Sequence, residues 1–109
     1  MEKRKPHYLL EQLQQLLTAE HTRIITRTCK LEAAEIGYFS DEMIVARIQL
    51  LSRKDFYKSM TVYGNNKLWQ DVYKTADEDR SLYIKLQLAA TGDEKAVVIQ
   101  FKTDTSKER

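Results

Sequence analysis

Hydrophobic positions in this chain follow two periods, and the change falls after Lys54. Before it, Leu9, Leu10, Leu13, Leu16 and Leu17 recur at helical spacing. They predict a helix from about Pro6 to Glu20, with Pro6 tolerated in the first turn and Glu11, Gln12, Gln14 and Gln15 turned to solvent. Arg23 to Arg27, with Ile24 and Ile25, reads as a short edge strand. Thr28 is a candidate N-cap for a helix through Leu31, Ala33 and Ala34, stopped at Gly37. Ser40 is the candidate cap of another, in which Met43, Ile44, Arg47, Ile48 and Leu51 keep the helical period.

After Lys54, residues 55–63, 67–75, 81–89 and 96–103 are rich in Tyr, Val, Ile, Leu and Phe and read as strands. Gly64-Asn65-Asn66, Asp77-Glu78-Asp79 and Thr91 to Glu94 are the turns between them. Short polar connections favour antiparallel neighbours, hence a meander. Helices followed by strands predict an α+β domain, with N-terminal helices packed on one face of a mainly antiparallel sheet formed by the C-terminal half. One domain covers 1–103. Residues 104–109 carry no apolar side chain and read as a frayed tail.

Side chains alternate across a strand, so each predicted strand has two readable faces. Leu82, Ile84, Leu86 and Leu88 form a core face, leaving Tyr83, Lys85 and Gln87 opposite. Val97, Ile99 and Phe101 point inward in the last strand, with Gln100 and Lys102 outward. Tyr83 and Lys102 thus share the non-core face. In 67–75 either parity is allowed. In the first strand Lys58 falls with Phe56, Met60 and Val62. Only a bulge or an apolar-lined groove would bring it beside Tyr83.

The chain has 109 residues, enough for one core, and its hydrophobic fraction of 42% argues against disorder. Net charge is only +2, so bulk charge does not announce a nucleic-acid binder. What basic character there is lies in Lys3-Arg4-Lys5 and in Lys58, Lys85 and Lys102 within strands. Apolar runs are too short to span a membrane, and the charged start lacks the apolar stretch of a signal peptide. Cys29, His7 and His21 are too sparse for a zinc set. The cell interior, with no metal and no other cofactor, is the expectation. Taken singly, a Lys or Tyr on a solvated sheet face is ordinary surface. Trp69 and Tyr73 suit packing, His7 a helix start, and Cys29 a small buried apolar site.

Together, some of these residues point further. Met1-Glu2-Lys3-Arg4-x-Pro6-His7, Asp55-Phe56-Tyr57-Lys58-Ser59-Met60, Trp69-Gln70-Asp71-Val72-Tyr73, Leu82-Tyr83-Ile84-Lys85 and Phe101-Lys102 occur in this order over residues 1–102. In this the chain resembles the motility quorum-sensing regulator (MqsR) family of bacterial type II toxin–antitoxin mRNA interferases. The resemblance implies a RelE-like ribonuclease fold and metal-independent cleavage of single-stranded mRNA at GC-containing triplets, chiefly GCU, with arrest of translation and growth. It also implies a neutralising antitoxin with zinc and a helix-turn-helix domain. The family's active-site Lys, Gln, Tyr and Lys match Lys58, Gln70, Tyr83 and Lys102, and its flanking Tyr and Met match Tyr57 and Met60. The chain departs from the family in a longer hairpin around Thr91–Lys95 and in the tail after Lys102.

Metal-free cleavage proceeds by attack of a ribose 2′-oxygen on the adjacent phosphate. A group must take the 2′ proton, others must stabilise charge on phosphorus, and one must protonate the leaving oxygen. No His lies in a predicted strand. Lys58 and Lys102 are therefore assigned to the phosphorus charge, Tyr83 to acid or base work, and Gln70 to orienting a phosphate or base edge. Tyr57, Met60 and Lys85 are assigned to RNA binding, with Phe56 a further candidate surface for a base. A base role for Lys or Tyr requires a depressed pKa, because only about one part in a thousand is deprotonated at pH 7. A non-catalytic RNA-binding or protein-interaction module is the alternative.

Overall fold

Leu10, Leu13 and Leu17 are all buried, and they set the helical layer of the fold against the sheet. The computed structural model describes residues 1–78, 80–90 and 92–105. In chain order the elements are β1 (Glu2–Lys3), α1 (Leu10–Leu17), β2 (Arg23–Ile25), α2 (Arg27–Ala34), α3 (Asp41–Gln49), β3 (Phe56–Val62), β4 (Asn65–Asp77), β5 (Arg80–Leu88) and β6 (Ala96–Thr103). The α+β class follows, with a six-stranded sheet of order β1-β3-β4-β5-β6-β2. Neighbouring strands are antiparallel except β2, which runs parallel to β6 at one edge. The predicted meander is β3 to β6. Among the described residues, no helix is long and apolar enough to cross a membrane.

The three helices bury one side of the sheet. Cys29 and Ala33 of α2 and Ile44, Val45 and Ile48 of α3 join the α1 leucines over Tyr73, Leu82, Ile84, Leu86, Val98 and Phe101. Ser40 caps α3 as predicted, its hydroxyl accepting from the Met43 amide at 3.2 Å. The cap of α2 lies two residues earlier than Thr28. The Thr26 hydroxyl accepts from the Cys29 amide, so Cys29 and Ala33, one turn apart, face the core. Gly37 ends this region with φ +95°, a conformation other residues rarely adopt.

Two further expectations are corrected. The first helix starts at Leu10 rather than Pro6, because the amides of His7 and Tyr8 donate to the Asp71 carboxylate instead of capping a helix. The residues before it form β1, a strand absent from the sequence prediction, pairing Glu2 with Met60 and Lys3 with Ser59. In β6 the pairing slips between Gln100 opposite Lys85 and Val98 opposite Leu86, leaving Ile99 as an extra residue. Beyond that bulge the faces exchange. Phe101 points inward as predicted, but Val98 and Ala96 replace Ile99 and Val97 in the core. The presumed tail begins tied down: the Asp104 amide donates to the Ser81 carbonyl at 2.8 Å. Ser106 to Arg109, and Thr91 in the longer hairpin, lie outside the described residues.

Candidate active site

The side of the sheet away from the helices carries the predicted chemistry. Residues directly opposite one another in antiparallel strands share a face. Lys74, Tyr83 and Lys102 form one cross-strand row, and Lys58, Val72, Lys85 and Gln100 the next. Met60 and Gln70 form a third, where the Gln70 amide nitrogen donates to the Gln87 side-chain oxygen at 2.7 Å.

Lys58 reaches this face through a bulge. The β3–β4 pairing slips between Phe56, opposite Tyr73, and Lys58, opposite Val72. Tyr57 is the extra residue. Phe56 turns into the core beside Tyr73, with ring centres 5.7 Å apart. It is therefore withdrawn as a base-binding surface. Lys58 turns outward, where it and Tyr83 sense each other's charge. A single extra residue reconciles the sequence period with a shared site.

Tyr83 is the hub. Lys102 and Lys85 place their ammonium groups 5.4 and 5.9 Å from its ring centre. Tyr57 lies beside it under three cations: Lys74 at 3.8 Å, Lys58 at 5.5 Å and the Arg4 guanidinium at 5.6 Å. Such geometry attracts anions and holds the aromatic rings in place. Met60 borders a cavity of about 620 Å³ that is also lined by Thr61, Val62, Tyr63 and Asn65. Gln70 sits with Met60, one row away from Lys58.

Three residues of this face were missed in the sequence. Lys74 follows Gln70 and Val72 at period two, so extending that alternation by one step finds it. Its ammonium lies 3.4 Å from the Asp104 carboxylate. Glu2 carries no strand signal, yet its carboxylate accepts from Lys58 at 2.8 Å. Asp104 fell in the presumed tail. Carboxylates thus meet the lysines from both ends of the described chain.

Protonation follows from these contacts. The hydrogen bond to Glu2 raises the Lys58 pKa, so Lys58 is held as a cation rather than a base. Burial raises Tyr83, which keeps its phenol protonated at neutral pH and makes it a proton donor. Lys85 is lowered, first by burial and then by Lys102 and Lys58.

The N-terminal segment is clamped to the sheet by a separate knot. Asp71, fully buried, accepts from the His7 and Tyr8 amides and from the Ser59 hydroxyl. His7 stacks on Trp69 at 5.4 Å, Lys3 lies 4.2 Å over the same indole, and the Tyr8 hydroxyl donates to the Trp69 carbonyl. Trp69 and Tyr73 are packing residues, as their type suggested.

A family model described as "Motility quorum-sensing regulator, toxin of MqsA" matches residues 5–103. The chain belongs to this family. It is also 43% identical over 86 residues to the mRNA interferase toxin MqsR of Escherichia coli (strain K12), covering 79% of this chain and 86% of that protein. The expected family is therefore established, and the match spans every element from α1 to β6.

Proposed function

We propose that this chain is the toxin of a type II toxin–antitoxin pair and acts as a metal-independent endoribonuclease on single-stranded mRNA. The observation that carries the reading is the gathering of Lys58, Lys85 and Lys102 around Tyr83 on the uncovered face of the sheet. Family membership and a relative named an mRNA interferase toxin support it. The fold assignment that goes with it is RelE-like, the site of action the cytoplasm, and the outcome arrest of translation and growth.

Cleavage follows from the charges. The 2′-oxygen attacks the adjacent phosphorus, and Lys58 and Lys102 stabilise the negative charge that builds on its oxygens. Tyr83 donates its phenolic proton to the leaving 5′-oxygen, giving a 2′,3′-cyclic phosphate and a 5′-hydroxyl. Lys85 adds to the field that holds the backbone. Gln70 orients a base edge, and the Met60 cavity, within the size range of ligand pockets, takes a base next to the cut. Sequence reading requires an unstacked strand, and GC-containing triplets such as GCU are the proposed targets. The neutralising partner is an antitoxin with zinc and a helix-turn-helix domain.

The test is purified protein with GCU-containing RNA in excess EDTA, followed by analysis of the new ends. Cleavage to cyclic-phosphate termini supports the reading. Binding without strand breaks favours the alternative, a non-catalytic RNA-binding module. No cleavage and no binding leaves a protein-interaction module.

A further inference from the structure

The proposed face has cations and a proton donor, but the reaction also needs a group to take the 2′ proton. Resting on the ribonuclease reading above, we propose that Glu2 is that general base, carried to the cleavage face by β1. Glu2 pairs across from Met60, so it shares the outward face of β3, and its carboxylate oxygen lies 2.8 Å from the Lys58 ammonium.

The strand order supplies the geometry. Glu2 stands on β1, Lys58 on β3 and Tyr83 on β5, which places the lysine between the carboxylate and the phenol. An in-line displacement puts the attacking 2′-oxygen and the leaving 5′-oxygen on opposite sides of phosphorus. Base and acid must then flank the phosphate, with a cation at its non-bridging oxygens between them. The backbones of β1 and β5 are three strand spacings apart, about 14 Å, and side chains reach inward from both.

Glu2 is also held. The Thr61 amide donates to the Met1 carbonyl at 2.9 Å, Lys3 lies over Trp69, and the Asp71 knot fixes the chain four residues further on. The other candidate bases are poorly placed: Lys58 is pinned as a cation by Glu2 itself, and the Tyr83 phenol is kept protonated by burial. A carboxylate is ionised at neutral pH without any shift.

The step balances without a co-reactant. The 2′ O–H bond breaks, and its proton passes to the Glu2 carboxylate. The 2′-oxygen bonds to phosphorus, the bond from phosphorus to the 5′-oxygen breaks, and that oxygen takes the Tyr83 proton. One proton then returns from Glu2 to Tyr83 through water. The charged and titratable groups facing Glu2 are Lys58 from β3, Tyr83 from β5, and Arg4 and the Met1 amino group from its own segment. The Lys58 hydrogen bond holds the Glu2 carboxyl below the usual range, so the acid limb of the rate profile falls below the ordinary carboxylate pKa.

The experiment is single-turnover cleavage of a short GCU-containing RNA in EDTA across pH, with binding measured on the same RNA carrying a 2′-deoxy nucleotide at the cut. Glu2→Gln is expected to slow cleavage about a hundredfold or more and to abolish the acid limb. Its binding should be unchanged or tighter, since a carboxylate leaves an anion-binding face, and Glu2→Asp should recover part of the rate. Cleavage by Glu2→Gln within a few-fold of wild type overturns the assignment. So does a loss of rate matched by an equal loss of binding, which marks a strand clamp rather than a base. Wild-type protein that fails to cleave at all overturns the ribonuclease reading first, and the role of Glu2 with it.

Discussion

The two faces of β5 obey different physics. Leu82, Ile84 and Leu86 are completely buried under the helices. Tyr83, Lys85 and Gln87, one residue out of phase, look onto an open surface crowded with like charge. The covered face lowers the free energy of the fold by removing apolar area from water. The open face gathers ammonium groups that lower one another's proton affinity, an arrangement with no benefit to stability. It persists because the covered face holds the strands in register. A single strand therefore serves two ends, and substitutions on its two sides should have separable effects.

The largest expected effects test that separation directly. Tyr83→Phe, Lys58→Ala and Lys102→Ala should each cut RNA cleavage about a hundredfold or more, while thermal midpoints stay within a few degrees of wild type. Lys102→Ala should leave stability unchanged or raise it, since it relieves the repulsion on Lys85. Gel assays beside thermal melts decide this. Wild-type turnover in all three variants removes the site. The converse comes from the covered side. Phe101→Ala should cost roughly 3–5 kcal/mol and Leu86→Ala about 2–5 kcal/mol, measured by urea unfolding, with cleavage per folded molecule preserved. A normal urea midpoint with lost activity would break the contrast between the faces.

Asp71 is where the two faces are coupled. It lies among packing groups, yet it holds the segment that carries Glu2. Asp71→Ala strands buried donors at His7, Tyr8 and Ser59, at roughly 1–3 kcal/mol for each left unsatisfied. It should also depress the cleavage rate at saturating RNA, because β1 is released. Hydrogen exchange at the amides of residues 7 and 8 reports the release. Protection as in wild type, together with reduced cleavage, would place the defect elsewhere.

How much of this was legible follows from where each signal is stored. The meander, the capping Ser40, buried Cys29 and the pairing of Tyr83 with Lys102 are local or period-two features, and a sequence carries those openly. The bulges at Tyr57 and Ile99 are not local. Nothing in Phe56-Tyr57-Lys58 announces that two residues will face one partner position. Only the demand to bury Phe56 and expose Lys58 on the same strand implies it. Val97 and Val98 are interchangeable by hydropathy, so the sequence does not say which turns inward. The early start assigned to α1 failed because Asp71, sixty-odd positions away, takes the His7 and Tyr8 amides. Glu2 was invisible for the same reason: a two-residue strand exists only by virtue of its partner.

The smallest expected effect lies at Tyr73, the largest fully buried side chain, whose hydroxyl has no hydrogen-bond partner among the described residues. Burial raises its pKa well above the ordinary phenol value. The folded protein therefore holds this proton more tightly than the unfolded chain. The corresponding stability is fully present below about pH 10 and is lost as pH rises from there toward the folded-state value, at no more than about 1.4 kcal/mol per pH unit. Tyr38 and Cys29, both pushed up to about 12, act in the same direction. The informative quantity is therefore the difference between wild type and Tyr73→Phe. At neutral pH that variant sheds an unsatisfied hydroxyl and should gain about 1 kcal/mol, several degrees in thermal midpoint for a domain of this size. Above pH 10 its stability should decline less steeply than that of wild type. Parallel slopes for the two proteins would mean that the hydroxyl reaches water, and that the covered face is less sealed at Tyr73 than its burial indicates.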